Sequence, residues 1–139
     1  MATVNTYLNF NGNTEEAFNF YKSVFGGEFL TVQRLKDTPD ADKLSEADKE
    51  KIMHIALPIG GNILMGTDVL ESMPPVTFGT NSSICISPES EEEAKRLFDG
   101  LSAGGQVGMP LEKMFWGALF GFFTDKFGVQ WMVNYELKQ

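Results

Sequence analysis

The chain has 139 residues, a formal net charge of −8, 42% hydrophobic and 22% charged residues. That length suits one domain able to bury a core without disulfides or metals, and the composition is that of a soluble globular protein. Acidity argues against a nucleic-acid partner, which wants clustered Lys and Arg. No apolar run approaches the roughly 20 residues of a membrane helix, so no membrane partner is expected. One cysteine, Cys85, and a start without a secretory pattern lead us to expect a cytoplasmic protein.

In chain order, Val4–Phe10 alternates Val4, Thr6, Leu8 and Phe10 against Asn5, Tyr7 and Asn9, the pattern of a strand with one apolar face. Asn13 and Glu16 have the spacing of a capping box that opens a helix. Ala17, Phe20, Tyr21, Val24 and Phe25 then make one apolar stripe, ended by Gly26–Gly27. Glu28–Leu35 reads as a strand. Asp37–Lys51 is charged and reads as an exposed loop with a short helical turn. Ile52–Ile59 and Asn62–Thr67 form two strands joined at Gly60–Gly61, a hairpin signal.

After the proline-bearing connector Ser72–Thr80, the pattern restarts. Ser82–Ser87 is a strand. Ser90 and Glu93 form a second capping box, and Ala94, Leu97, Phe98 and Leu101 a second stripe closed by Gly104–Gly105. Gln106–Met114, Ala118–Thr124 and Val129–Tyr135 supply three more strands. The caps Asn13 and Ser90 lie 77 residues apart, and Ala17/Ala94, Phe20/Leu97 and Tyr21/Phe98 match at that offset. The chain is thus two βαβββ repeats, module 1 about 1–70 and module 2 about 80–139. The expected fold is α+β: a curved, mostly antiparallel eight-stranded sheet with a concave pocket for a small molecule.

The opening Y-L-N-F-N-G-N-T-E-E-A-F-N-F-Y-K-S-V-F-G-G-E-F and the closing M-F-W-G-A-L-F-G-F-F-T-D-K-F-G-V-Q-W-M-V-N sit on these two repeats. Together they resemble the PhnB-like branch of the vicinal oxygen chelate superfamily. That superfamily also holds glyoxalase I, bleomycin-resistance proteins and extradiol dioxygenases. The branch carries the label 3-demethylubiquinone-9 3-methyltransferase. The resemblance covers the whole chain as a single glyoxalase/bleomycin-resistance-like domain, and it implies a homodimer.

It also implies where metal-dependent members place four His, Gln or Glu ligands, two per module. Those positions fall on Asn5 or Thr6, within Asn62–Thr67, on Ser83 and on Met132. A thioether and apolar neighbours are poor partners for a divalent cation, so no metal and no cofactor are expected. The methyltransferase label also fits poorly. A nucleotide-bearing methyl donor would need a strand, a glycine-rich turn and then a helix, whereas the paired glycines here follow helices or join strands.

His54 is the only histidine. Strand alternation places it with Ala56 and Pro58 on the concave face, opposite Met53, Ile55, Leu57 and Ile59. It is either a hydrogen-bonded structural residue or a pocket group that binds an anion or acts as general base near neutral pH, and it is the only catalytic candidate. Cys85 is expected to be a buried, inert thiol. Asp125 suits the first position of the T-D-K-F-G turn, and Glu91–Glu93 the first turn of a helix. The candidate ligand-binding residues are Tyr7, Asn9, His54, Phe122, Met132 and Asn134. The last two lie on the face alternate to Trp131 and Val133, unless a bulge reverses that strand. The aromatics of the closing segment fit a flat or apolar ligand, or equally a dimer interface. Two functions stay open: a metal-free small-molecule-binding protein of unknown ligand, or an enzyme of unknown reaction using His54 and polar groups of the concave face.

Overall fold

A computed structural model describes residues 2–137. The chain divides into two compact units, Met1–Thr77 and Phe78–Gln139. The first contains β1 (Thr6–Phe10), α1 (Thr14–Phe25), β2 (Thr31–Arg34), a short α2 (Glu46–Lys49), β3 (Ile52–Ile59) and β4 (Asn62–Asp68). The second contains β5 (Ile84–Ile86), α3 (Glu91–Ser102), β6 (Gln106–Lys113), β7 (Ala118–Thr124) and β8 (Gln130–Glu136). The expected α+β architecture of two βαβββ modules is present. α1 and α3, each of 12 residues, start at the 77-residue offset of the repeat. The eight strands pair as two four-stranded sheets of equivalent order, β1-β4-β3-β2 and β5-β8-β7-β6. In each sheet one pairing is parallel and the other two antiparallel.

In module 1, α1 covers one face of its sheet. Its buried residues are Thr14, Ala17, Phe18 and Tyr21. The stripe therefore runs one residue away from the expected one: Phe18 is fully buried, while Phe20, Val24 and Phe25 are only half-buried. The cause lies on β4, where a Cβ on Gly66 would stand 2.6 Å from Phe18 Cε1. The missing side chain is the slot the ring occupies. Phe18 meets Phe10 and Tyr21 edge-on, with ring centroids 6.4 and 5.6 Å away.

The start of α1 also differs from expectation. Asn13 occupies the cap position but makes no side-chain cap bond. Buried Asp68, at the end of β4, does that work from 54 residues away. Its Oδ1 accepts from Gly12 N and Thr14 N at 3.0 Å and from Thr14 Oγ1, and its Oδ2 accepts from Ile52 N at 2.9 Å. One carboxylate thus satisfies the first N–H of the helix, Thr14 N, and ties the helix start to β3. Gly26 and Gly27, at φ 82° and 83°, carry the chain out of α1 as expected.

β3 and β4 join at Gly60, φ 58°. Gln33 pairs with His54, but Arg34 pairs with Ile52, so Met53 is an extra residue in the ladder. The bulge turns Ile52 to the buried face beside Ile55 and Leu57. Strict alternation had put Met53 there instead. The 35–51 segment holds two 3-10 turns and α2, slightly more helix than the single turn expected.

In module 2, Ser90 Oγ accepts from Glu93 N at 3.0 Å, while Glu93 Oε1 accepts from Glu89 N at 3.0 Å. This is close to the expected capping box. Ala94, Leu97, Phe98 and Leu101 are buried as expected. The T-D-K-F-G turn is locked by Asp125, whose Oδ1 accepts from Phe127 N at 2.8 Å and Val129 N at 3.1 Å. Its Oδ2 also accepts from Trp131 Nε1 at 2.8 Å, so the turn residue holds the core tryptophan as well.

Candidate functional site

In each module the helix covers one sheet face, and the opposite face is open. On module 1, Tyr7 of β1 lies beside Met65 of β4, which lies beside Ala56 of β3. Asn9 lies beside Thr67, and Gln33 beside His54. Tyr7 reaches over β4 to β3, where its Oη is hydrogen-bonded to His54 Nδ1 at 3.0 Å with ring centroids 5.6 Å apart. A phenol that donates to Nδ1 leaves the ring proton on Nε2. Among the described residues nothing hydrogen-bonds Nε2. Asn5 Oδ1 is already used, accepting from Ile63 N at 3.1 Å, which pins the start of β1 to β4.

On module 2, Trp131 and Val133 are buried toward α3, while Gln130, Met132 and Asn134 are half-buried on the alternate face. Met132 lies between Phe122 of β7 and Cys85 of β5, and Asn134 lies beside Phe120. Phe122 is exposed, and its ring covers Gly108, where a Cβ would meet Phe122 Cε1 at 2.4 Å. Phe120 continues the row toward Trp116 and Phe115, with successive centroids 5.8 and 5.1 Å apart. Phe115 is 98% exposed. Cys85 is exposed rather than buried, because β5 is short and at the sheet edge. Partial desolvation still raises its thiol pKa, which keeps it protonated and a poor nucleophile.

The structure therefore brings Tyr7 and His54 into direct contact, with Asn9 two residues along the same strand. It sets Phe122 and Met132 side by side, with Asn134 one step further along β8.

A feature that alternation could not reveal lies on the rim of module 1. A polar depression of about 590 Å³ is lined by Gly12, Glu15, Arg34, Lys36, Glu50 and Lys51 among others. Its cations are committed. Arg34 donates to Glu15 at 3.0 Å and to the Glu50 carbonyl at 3.0 Å. Lys36 pairs with Glu50 at 3.3 Å, and Lys51 with Asp48 at 2.8 Å. The Arg34 hydrogen bond holds the Glu15 carboxyl below its ordinary pKa and raises that of Arg34. The Lys51 hydrogen bond lowers that of Asp48. The alternation of Glu and Lys over 46–51 was the available signal, and it reads as a solvated segment.

The positions at which the resemblance implies metal ligands do not suit a divalent cation here. Thr6 and Ser83 are exposed hydroxyls, Asn5 is engaged, and Met132 offers a thioether among aromatic neighbours. Among the described residues no three His, Cys, Asp or Glu side chains gather as a metal-binding group. No helix is long and apolar enough to cross a membrane.

The sequence profile of the family described as 3-demethylubiquinone-9 3-methyltransferase matches residues 2–134. The chain belongs to that family. It is 31% identical to Protein YjdN of Escherichia coli, over 96% of this chain and 95% of that protein. The structure of PA1353 from Pseudomonas aeruginosa is 40% identical, with a TM-score of 0.88 over 99% of this chain and all of that one. A structure from Bacillus cereus described as a putative 3-demethylubiquinone-9 3-methyltransferase, PhnB protein, is 27% identical, with a TM-score of 0.75 over 96% of this chain and 99% of that one. A glyoxalase-related enzyme from Fulvimarina pelagi, at 18% identity and a TM-score of 0.65, covering 98% of this chain and 89% of its own, shares the fold. The chain is thus PhnB-like in sequence and shares the fold of a glyoxalase-related enzyme.

Proposed function

We propose that this PhnB-like chain is a small-molecule-binding protein that works without a divalent metal, and that Tyr7 and His54 anchor its ligand. The carrying observation is the 3.0 Å bond between Tyr7 Oη and His54 Nδ1. It orients the single imidazole on an open sheet face and leaves Nε2 for a ligand. Asn9 adds an amide on that face, and in module 2, taken by itself, Phe122, Met132 and Asn134 are the further candidate ligand-binding residues. They offer amide hydrogen bonds and apolar stacking area. The donor set at the superfamily's metal positions supports the metal-free reading.

Methyl transfer, which the family description names, draws little support from the fold. Gly26–Gly27 and Gly104–Gly105 follow α1 and α3 rather than opening a helix after a strand. Neither mixed four-stranded sheet is a doubly wound nucleotide-binding sheet.

The same contact in the other tautomer, with Nδ1–H donating to Tyr7 Oη and Nε2 bare, favours a second reading, an enzyme in which Tyr7 orients His54 as general base. A homodimer belongs to the proposal too, since exposed Phe115 and Trp116 are residues of the kind a partner chain covers. So does a cytoplasmic setting.

A thermal-shift screen of small molecules tests the binding reading. A ligand at about 100 times its Kd adds about 2.7 kcal/mol to apparent stability, and His54→Ala should remove that shift. A ligand-induced shift unchanged in His54→Ala, or a stoichiometric divalent metal in the purified protein, would overturn the proposal. Turnover of a bound ligand that vanishes in His54→Ala selects the enzymatic reading.

A further inference from the structure

We infer, resting on the binding reading above, that the group received at Tyr7–His54 is uncharged: an amide, carbonyl or hydroxyl rather than a carboxylate or phosphate. The four strands of module 1 carry two formally charged residues, Arg34 and Asp68. Both turn to the helix side. Arg34 binds Glu15 of α1, and Asp68 binds Thr14 of α1. The opposite face presents Tyr7, Asn9, Thr31, Gln33, His54 and Met65 in adjacent register. It is a phenol, two amides, a hydroxyl, an imidazole and a thioether, with no ammonium, guanidinium or carboxylate.

An anion set against such a surface loses water without gaining the charge-assisted bonds that Arg or Lys would supply. Module 1 does own further cations, but they are turned elsewhere and neutralised. Arg34, Lys36 and Lys51 line the polar depression and are paired with Glu15, Glu50 and Asp48. The net charge of −8 further disfavours an approaching anion. What the face offers is complementary to a neutral group with both donor and acceptor. With Tyr7 donating to Nδ1, His54 Nε2–H and the Gln33 and Asn9 amides donate, and the Tyr7 oxygen and the amide carbonyls accept.

His54 is the only histidine, so its imidazole gives one assignable NMR spin system. The test titrates benzamide, benzoate and phenyl phosphate, which share a ring and differ in charge, at about pH 8, above the ordinary imidazole range. Benzamide is expected to shift the His54 signals saturably and at least about tenfold more tightly than either anion. Tyr7→Phe should weaken benzamide. Gln33→Arg, which sets a guanidinium beside His54 on an exposed position, should reverse the preference toward benzoate.

Benzoate or phenyl phosphate binding as tightly as benzamide to the unmodified protein overturns the inference and leaves the binding reading standing. Failure of all three to move the His54 signals overturns both. Benzamide affinity unchanged in Tyr7→Phe removes the group from the pair.

Discussion

The two modules share strand order, helix length and helix position, yet they use buried carboxylates differently. In module 1, Asp68 closes the seam between the start of α1 and the ends of β3 and β4. In module 2, α3 is capped locally by Ser90, and the buried carboxylate, Asp125, instead closes the β7–β8 turn and holds Trp131. A repeated fold constrains where helix and strands lie, while the polar groups that finish their ends are free to come from near or far. The open faces diverge as well. Module 1 shows phenol, imidazole and amides, and module 2 shows a row of rings packed edge-on or tilted, with a thioether.

The sharpest way to break that comparison is to remove each carboxylate. Asp68→Ala strands the buried donors Thr14 N, Thr14 Oγ1 and Ile52 N and the part-buried Gly12 N. Each orphaned buried donor costs about 1–3 kcal/mol, and with partial relaxation the expected loss is about 4 kcal/mol. Asp125→Ala strands Phe127 N, Val129 N and Trp131 Nε1, so about 3 kcal/mol is expected. Urea unfolding followed by fluorescence reads both. A smaller loss for Asp68→Ala than for Asp125→Ala would show that the long-range seam matters less than the local turn.

What could be foreseen follows from the range of the interactions involved. The repeat, both helices, the β3–β4 hairpin and the side of β8 that carries Trp131 depend on local periodicity, which the sequence displays directly. The Asp68 cap could not be seen, because 54 residues separate it from the helix it closes and Asn13 is a plausible local substitute. Phe18 was passed over because its burial depends on a glycine on another strand. The Met53 bulge shifts one strand end without any glycine to mark it. At the candidate site, alternation put Tyr7 and His54 on the same face, but their contact required the strand order β1-β4-β3.

Glycines sharpen the comparison at an intermediate scale. A Cβ on Gly121 would lie 2.9 Å from Leu111 N and Met109 O as well as 2.8 Å from Phe98 Cε2. At Gly66 the obstacles are the Phe18 ring and, at 3.2 Å, Thr14 Cγ2, both side-chain atoms that can shift. Gly121→Ala should therefore cost about 3 kcal/mol and Gly66→Ala about 1 kcal/mol. The midpoint of chemical unfolding orders the two, and equal losses would mean that module 1 packs its helix as rigidly as module 2.

The smallest effect concerns how each helix is tied by charge. Arg34–Glu15 joins β2 to α1, whereas Lys95–Glu91 lies within α3 and ties nothing to its sheet. The Glu15 pKa is depressed in the folded protein, so its contribution is whole above the ordinary carboxylate value and is lost as pH falls through the folded value. Half-exposed pairs are worth little, and Glu15→Gln should cost about 0.5 kcal/mol near neutral pH, less in high salt. It should also flatten the acid limb of the stability curve, since the mutant has no proton to take up at that site. Glu91→Gln should leave the neutral stability nearly unchanged. If the two variants lose the same stability, the Arg34 pair does not couple strand to helix, and α1 is held on its sheet by Asp68 and the packing of Ala17, Phe18 and Tyr21.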